Sequence, residues 1–143
     1  MQVPVPLTKQ AEHQIGTLMI IDDSSFDQMA CGRIISRSNI VETLLQFTEP
    51  LKGLAYLTDG SMPKPDLILL DVNMPELDGF EFLERATQEV GPELCPVIIM
   101  LTTALNPRDE IRARKFEIVQ DFHDKPLTDE LLSYLGQRMR RAA

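Results

Sequence analysis

Five short apolar runs recur along the chain, each followed by polar residues and then by a stretch with helical spacing. The runs are Thr17–Ile21, Ile40–Phe47, Leu67–Leu70, Val97–Leu101 and, more weakly, Val119–His123. Between them the spacing predicts helices. Ser24 or Ser25 caps the first, over about Phe26–Arg37, with Phe26, Met29, Ala30 and Ile34 on one face. The second covers Leu51–Leu57 and stops at Asp59-Gly60. The third covers Phe80–Val90, with Phe80, Leu83 and Val90 in register. Pro107, at a first helical position behind Asn106, opens a fourth that runs to about Phe116. Thr128 or Asp129 caps a last one to about Arg140. LILL and VIIML are apolar at every position. Continuous apolarity is what a strand buried on both faces requires, so the pattern predicts a parallel sheet with helices on each side.

Residues 1–15 hold Pro4 and Pro6, polar groups and no period, and are expected to form a mobile extension. The 143 residues suit one domain with a core that needs no staples. Cys31 and Cys95 fit neither a disulfide scaffold nor a Cys-rich zinc site, and are expected as reduced, buried residues of a cytoplasmic protein. No apolar run approaches the ~20 residues of a membrane span, and the first residues lack the apolar core of a signal peptide. The net charge of −8 argues against direct nucleic-acid binding and against anionic membranes. Basic residues gather weakly at Arg112, Arg114 and Lys115 and at Arg138, Arg140 and Arg141, and read as solvated helix faces.

The polar residues that follow the runs change the picture. Asp22-Asp23 ends the first, Asp71 the third, Thr102-Thr103 the fourth and Lys125 the fifth. In a doubly wound sheet all strand carboxyl ends lie along one edge, where ligand crevices form. Three carboxylates, a lysine and a hydroxyl should therefore converge. Clustered carboxylates repel, so the site calls for a cation or for raised pKa values, and an all-oxygen donor set suits Mg²⁺. With an ammonium and a hydroxyl beside it, the site suits a tetrahedral phosphoryl anion. A central carboxylate can act as the nucleophile and form an acyl phosphate.

LMIIDDS, LILLDVNMPELDGFEFL, IIMLTTA and FHDKPL, in this order and spacing, together resemble the receiver domain of two-component response regulators. The resemblance covers about residues 16–141. It implies a flavodoxin-like, doubly wound α/β fold, with a five-stranded parallel sheet in the order 2-1-3-4-5 and five helices, so that residues 16–143 form the receiver domain. It makes Asp71 the phospho-acceptor. Asp22 and Asp23 become the acidic pair that holds Mg²⁺, Asp23 more directly, with the Asn73 backbone carbonyl as a further ligand. Thr102 becomes the switch hydroxyl, Lys125 the phosphoryl partner and Phe122 the switch aromatic. Phe122 lacks the hydroxyl of the tyrosine often found there, and His123 and Asp124 stand where the family usually has apolar or small residues. The implied donor is a histidine kinase or a histidine phosphotransfer protein. The implied output is a downstream protein target, reached by a stand-alone regulator. The face of the fourth helix, fifth strand and fifth helix, with Arg112 and Phe122, is the expected surface for that target or for a homodimer.

Three rivals remain at this point. An aspartyl-nucleophile phosphatase of the haloacid-dehalogenase kind wants a second aspartate where Asn73 stands. A phosphate-independent interaction module would not need the full acidic set. A receiver fragment of a larger hybrid protein shares every motif. The receiver reading makes the chain no enzyme with a separate substrate; it catalyses only its own phosphorylation and dephosphorylation.

Overall fold

The structure is a computed structural model that describes residues 13–91, 97–103 and 106–142. Cys95 and residues 1–12 of the expected extension lie outside the described residues. The elements are β1 (Ile15–Ile21), α1 (Ser25–Ser38), β2 (Val41–Phe47), α2 (Pro50–Thr58), β3 (Leu67–Asp71), α3 (Gly79–Val90), β4 (Val97–Thr102), α4 (Pro107–Arg114), β5 (Val119–Asp124) and α5 (Asp129–Ala142). The strands form one parallel sheet in the order β2-β1-β3-β4-β5. This is the expected topology.

Strand alternation divides the core in two. Ile68 and Leu70 point to the face covered by α2, α3 and α4, where they join Leu57, Phe80, Phe82 and Ala113. Leu67 and Leu69 point to the opposite face, where they join Cys31 and Ile35 of α1 and Leu132 and Leu135 of α5. Every residue of β3 is buried, as its unbroken apolarity requires.

Several boundaries differ from the sequence expectation. β1 starts at Ile15, not Thr17, and Ile15 is fully buried. The strand thus takes in the last residue assigned to the extension; Gly16 interrupts the apolar run without interrupting the pairing with β2. β2 starts at Val41 because Asn39 closes α1 in the left-handed conformation, at φ 58°, and leaves Ile40 as a connector. The Ile40 carbonyl accepts from the amides of Gln14 and Ile15. α4 ends at Arg114, short of Phe116, because the Lys115 and Phe116 amides turn tightly onto the carbonyls of Arg112 and Ala113. Thr128 caps α5, its hydroxyl accepting from the Leu131 amide.

The largest correction concerns α1. Phe26 and Met29, expected on the inward face, are 78% and 56% exposed. The buried positions are Gln28, Cys31 and Ile35. They share the 3–4 residue spacing of the expected face but are rotated from it, because Gln28 has polar work under the helix.

Candidate functional site

The strand ends do meet. Asp22 follows β1, Asp71 closes β3, Thr102 closes β4 and Lys125 follows β5. Backbone bonds lock this edge: the Asp22 amide donates to the Phe47 carbonyl, and the Lys125 amide donates to the Thr102 carbonyl at 2.7 Å.

Gln28 fixes the β1 end from below. Its side-chain amide lies 3.3, 3.2 and 2.9 Å from the carbonyls of Ile20, Asp22 and Phe47. Gln46 donates in turn to the backbone carbonyl and side-chain oxygen of Gln28. At the mouth, the Ser24 amide donates to Asp22 Oδ1 at 2.9 Å, and Ser24 caps α1 through the Asp27 amide.

The loop after Asp71 is held by the Asp78-Gly79 pair. Asp78 and Glu81 form a reciprocal capping box at the start of α3. The Gly79 amide donates to the Val72 carbonyl at 2.8 Å. A Cβ at Gly79 would stand 2.5 Å from the Asp71 carbonyl oxygen, so only glycine lets α3 start this close to β3.

Asp22, Asp23 and Asp71 each offer a carboxylate oxygen, and these atoms lie within 4.8 Å of one another. Asp22 and Asp71 are buried and Asp23 is exposed. Lys125 reaches into the cluster. Its Nζ lies 2.6 Å from Asp22 Oδ2, 2.9 Å from Asp27 Oδ2 and 3.3 Å from Asp71 Oδ1. Burial and the neighbouring Asp22 charge push the Asp71 carboxyl up to about 6, against the pull of Lys125. Burial alone would lower the Lys125 pKa, but its bonds to Asp22 and Asp27 and the nearby carboxylate charges hold it above its usual value. The cluster is thus short of positive charge even with the lysine in it. An exposed acid at the mouth and two buried ones behind it, all offering oxygen, fit a hard divalent cation.

Thr102 is fully buried while Thr103 is exposed. The Thr102 hydroxyl lies 3.5 Å from the side-chain amide of Asn73. Asn73, expected to act through its backbone carbonyl, therefore also reaches across with its side chain. Phe122 is not in the crevice. It stands half-buried opposite Met100 of β4 and lines a separate groove with Glu110, Arg114 and Val119. Cys31 borders the crevice as a free, buried thiol, pushed up to about 11 by burial, and is a poor nucleophile there.

Two residues of this site were missed from sequence. Gln28 and Asp27 sit among the polar positions of a helix, which ordinarily face water. The available signal was that Asp27 falls one turn after Asp23, in the first turn of a helix leaving the acidic strand end.

Comparison with known proteins agrees with this geometry. The family model described as response regulator receiver domain matches residues 18–135. The chain is 30% identical over 105 residues to response regulator Rcp1 of Synechocystis, an alignment that covers 71% of each protein. A two-component response regulator from Cytophaga hutchinsonii has a similar structure, with a TM-score of 0.78 at 26% identity, over 89% of this chain and 98% of that one. The Mn²⁺-bound form of Rcp1 is also similar, with a TM-score of 0.67 at 27% identity, over 87% of this chain and 89% of that one.

Proposed function

Because the chain belongs to the response regulator receiver family of two-component signalling, we propose that it accepts a phosphoryl group on Asp71. The donor is a histidine kinase or a histidine phosphotransfer protein. The observation that carries this reading is the convergence of Asp22, Asp23 and Lys125 on Asp71 at the carboxyl edge of the sheet. Asp71 shares the Lys125 ammonium with Asp22 and offers an oxygen within 4.8 Å of both acids of the pair.

The chemistry follows from that placement. An Asp71 carboxylate oxygen attacks phosphorus, the bond from phosphorus to the donor atom breaks, and the donor leaves with that electron pair. Negative charge spreads over the equatorial phosphoryl oxygens, and Lys125 pairs with one of them. Asp22, Asp23, Asp71 and the Asn73 carbonyl would hold Mg²⁺, whose charge would offset that of the incoming group. The Thr102 hydroxyl exchanges the Asn73 amide for a phosphoryl oxygen. Phe122 answers the change on the α4 side of the sheet.

The output is phosphorylation-dependent binding of a downstream protein, or relay of the phosphoryl group, by a stand-alone regulator. The α4–β5–α5 face, which exposes Ile111 and Tyr134 with Arg138 over the Tyr134 ring, suits that target or a second copy; Arg112, expected there, packs instead on Phe80 of α3. Among the described residues Cys31 forms no disulfide, which suits the cytoplasmic location expected from the sequence. Among the described residues no helix is long and apolar enough to cross a membrane.

Intact mass after incubation with acetyl phosphate tests the reading. One phosphoryl adduct is expected with Mg²⁺ and none with EDTA or in Asp71→Asn. An undiminished adduct in Asp71→Asn would refute the assignment.

A further inference from the structure

Lys125 has three carboxylate partners, and one of them, Asp27, has no role in the phosphoryl transfer proposed for Asp71. Asp27 Oδ2 lies 2.9 Å from Lys125 Nζ, closer than Asp71 Oδ1 at 3.3 Å. Among the described residues, Lys125 is the partner the structure gives the Asp27 carboxylate. Its backbone is fixed independently, by the hydrogen bond its amide donates to the Ser24 hydroxyl. Resting on the phosphoryl-acceptor reading, we propose that Asp27 is a positioning residue that holds Lys125 on the α1 side of the crevice until a phosphoryl group on Asp71 competes for it.

An ammonium has three N–H donors; Asp22 and Asp27 hold Lys125 by hydrogen bonds of 2.6 and 2.9 Å, and Asp71 is the looser partner at 3.3 Å. A phosphoryl group adds acceptor oxygens and a charge of about −1.5 to −2. The Asp71 contact passes to the phosphoryl oxygens, and to follow them beyond the Asp71 carboxylate the lysine must stretch one of its two shorter bonds. The Asp22 side chain is 6% exposed, and leaving it unpaired in the crevice would be costly. The Asp27 side chain is 31% exposed and can be rehydrated. The Asp27 bond is therefore the one released. Until then Asp27 offsets part of the lysine's charge, and so slows phosphoryl uptake. This gives the site a restraint on spontaneous phosphorylation that the acidic pair does not supply.

The test compares wild type with Asp27→Asn, which keeps the shape and removes the charge, and with Asp27→Ser, which also removes the reach. The rate of adduct formation from acetyl phosphate and Mg²⁺ is followed by intact mass, and the Lys125 Nζ signal by ¹⁵N NMR without phosphodonor. Both variants are expected to gain the adduct about threefold to tenfold faster, the span of a partly exposed charged pair. Both should also move the Nζ signal. The gain must persist in ~1 M salt, where the Debye length is about 3 Å and general repulsion of an anionic donor is screened. Equal or slower rates, an unmoved Nζ signal, or a gain that salt abolishes would overturn the proposal while the phosphoryl reading stands. No adduct on wild type would overturn that reading and this proposal with it.

Discussion

Asp71 holds its proton up to about pH 6, because burial and Asp22 disfavour its charge. Its unfolded pKa is near 3.8, so between about pH 4 and pH 6 the folded state binds more proton than the unfolded one. Stability from this residue is therefore present below pH 4, falls as pH rises through that window, and stays lost above it. The cost at neutral pH is on the order of 3 kcal/mol at most. Asp71→Asn removes it, and Lys125 keeps Asp22 and Asp27 as partners. Thermal melts should show Asp71→Asn above wild type at neutral pH, with the gap closing toward pH 4; a variant that melts below wild type at neutral pH contradicts the account. Gln28 makes the opposite kind of residue-scale claim. Gln28→Leu removes the amide shared by the carbonyls of Ile20, Asp22 and Phe47, of which Phe47 keeps the Asp22 amide, and should cost about 1–3 kcal/mol in chemical denaturation. Neither residue's environment could be read from its letter. A buried glutamine under a helix looks like a solvated one until its acceptors are in place.

At the scale of elements, apolar runs were legible and orientations less so. β3 and β4 declared themselves because burial on both faces leaves no polar position until the closing Asp71 and Thr102. α1 did not, because its sequence allows two apolar stripes, and the sheet contacts of Cys31 and Ile35 together with the Gln28 bonds select one. That leaves Phe26 and Met29 in water. β5 lies at the edge of the sheet and has no fully buried residue, which accommodates His123 and Asp124. His123 pairs with Asp121 at 2.9 Å on the α5 side. The proposed switch runs between β4 and β5, from Thr102 to Phe122. Since Phe122 is half-buried rather than core, an inward turn of its ring as the hydroxyl moves toward the phosphoryl group would take further apolar area out of water. Burying the rest of the ring contributes less than the ~3 kcal/mol of full burial, enough to bias a two-state equilibrium several-fold. Beryllofluoride should shift the Phe122 ring signals in wild type and shift them less in Thr102→Ala. Ring signals that ignore beryllofluoride in wild type would leave Phe122 a static packing residue.

For the whole molecule, the crevice exists because the topology brings residues as far apart in sequence as Asp22 and Lys125 to one sheet edge. No single motif specifies that; the order of the runs and the polar residue after each do. The same convergence makes the acidic cluster a liability that a cation relieves. Asp23→Ala removes one repelling charge and one metal ligand together. Without metal, the variant should melt at or slightly above wild type, by about 1 kcal/mol or less given the exposure of Asp23. Added Mg²⁺ should raise the melting temperature of wild type and leave the variant nearly unmoved. A metal-free variant less stable than wild type would contradict the repulsion between these carboxylates.

The central claim is that Asp71 itself forms the acyl phosphate. Borohydride reduces an acyl phosphate to the alcohol, so reduction of the phosphorylated chain followed by peptide mass mapping reads the residue directly. The account predicts homoserine at position 71 and aspartate retained at positions 22, 23 and 27. Homoserine at any of those three, with Asp71 unmodified, would contradict it.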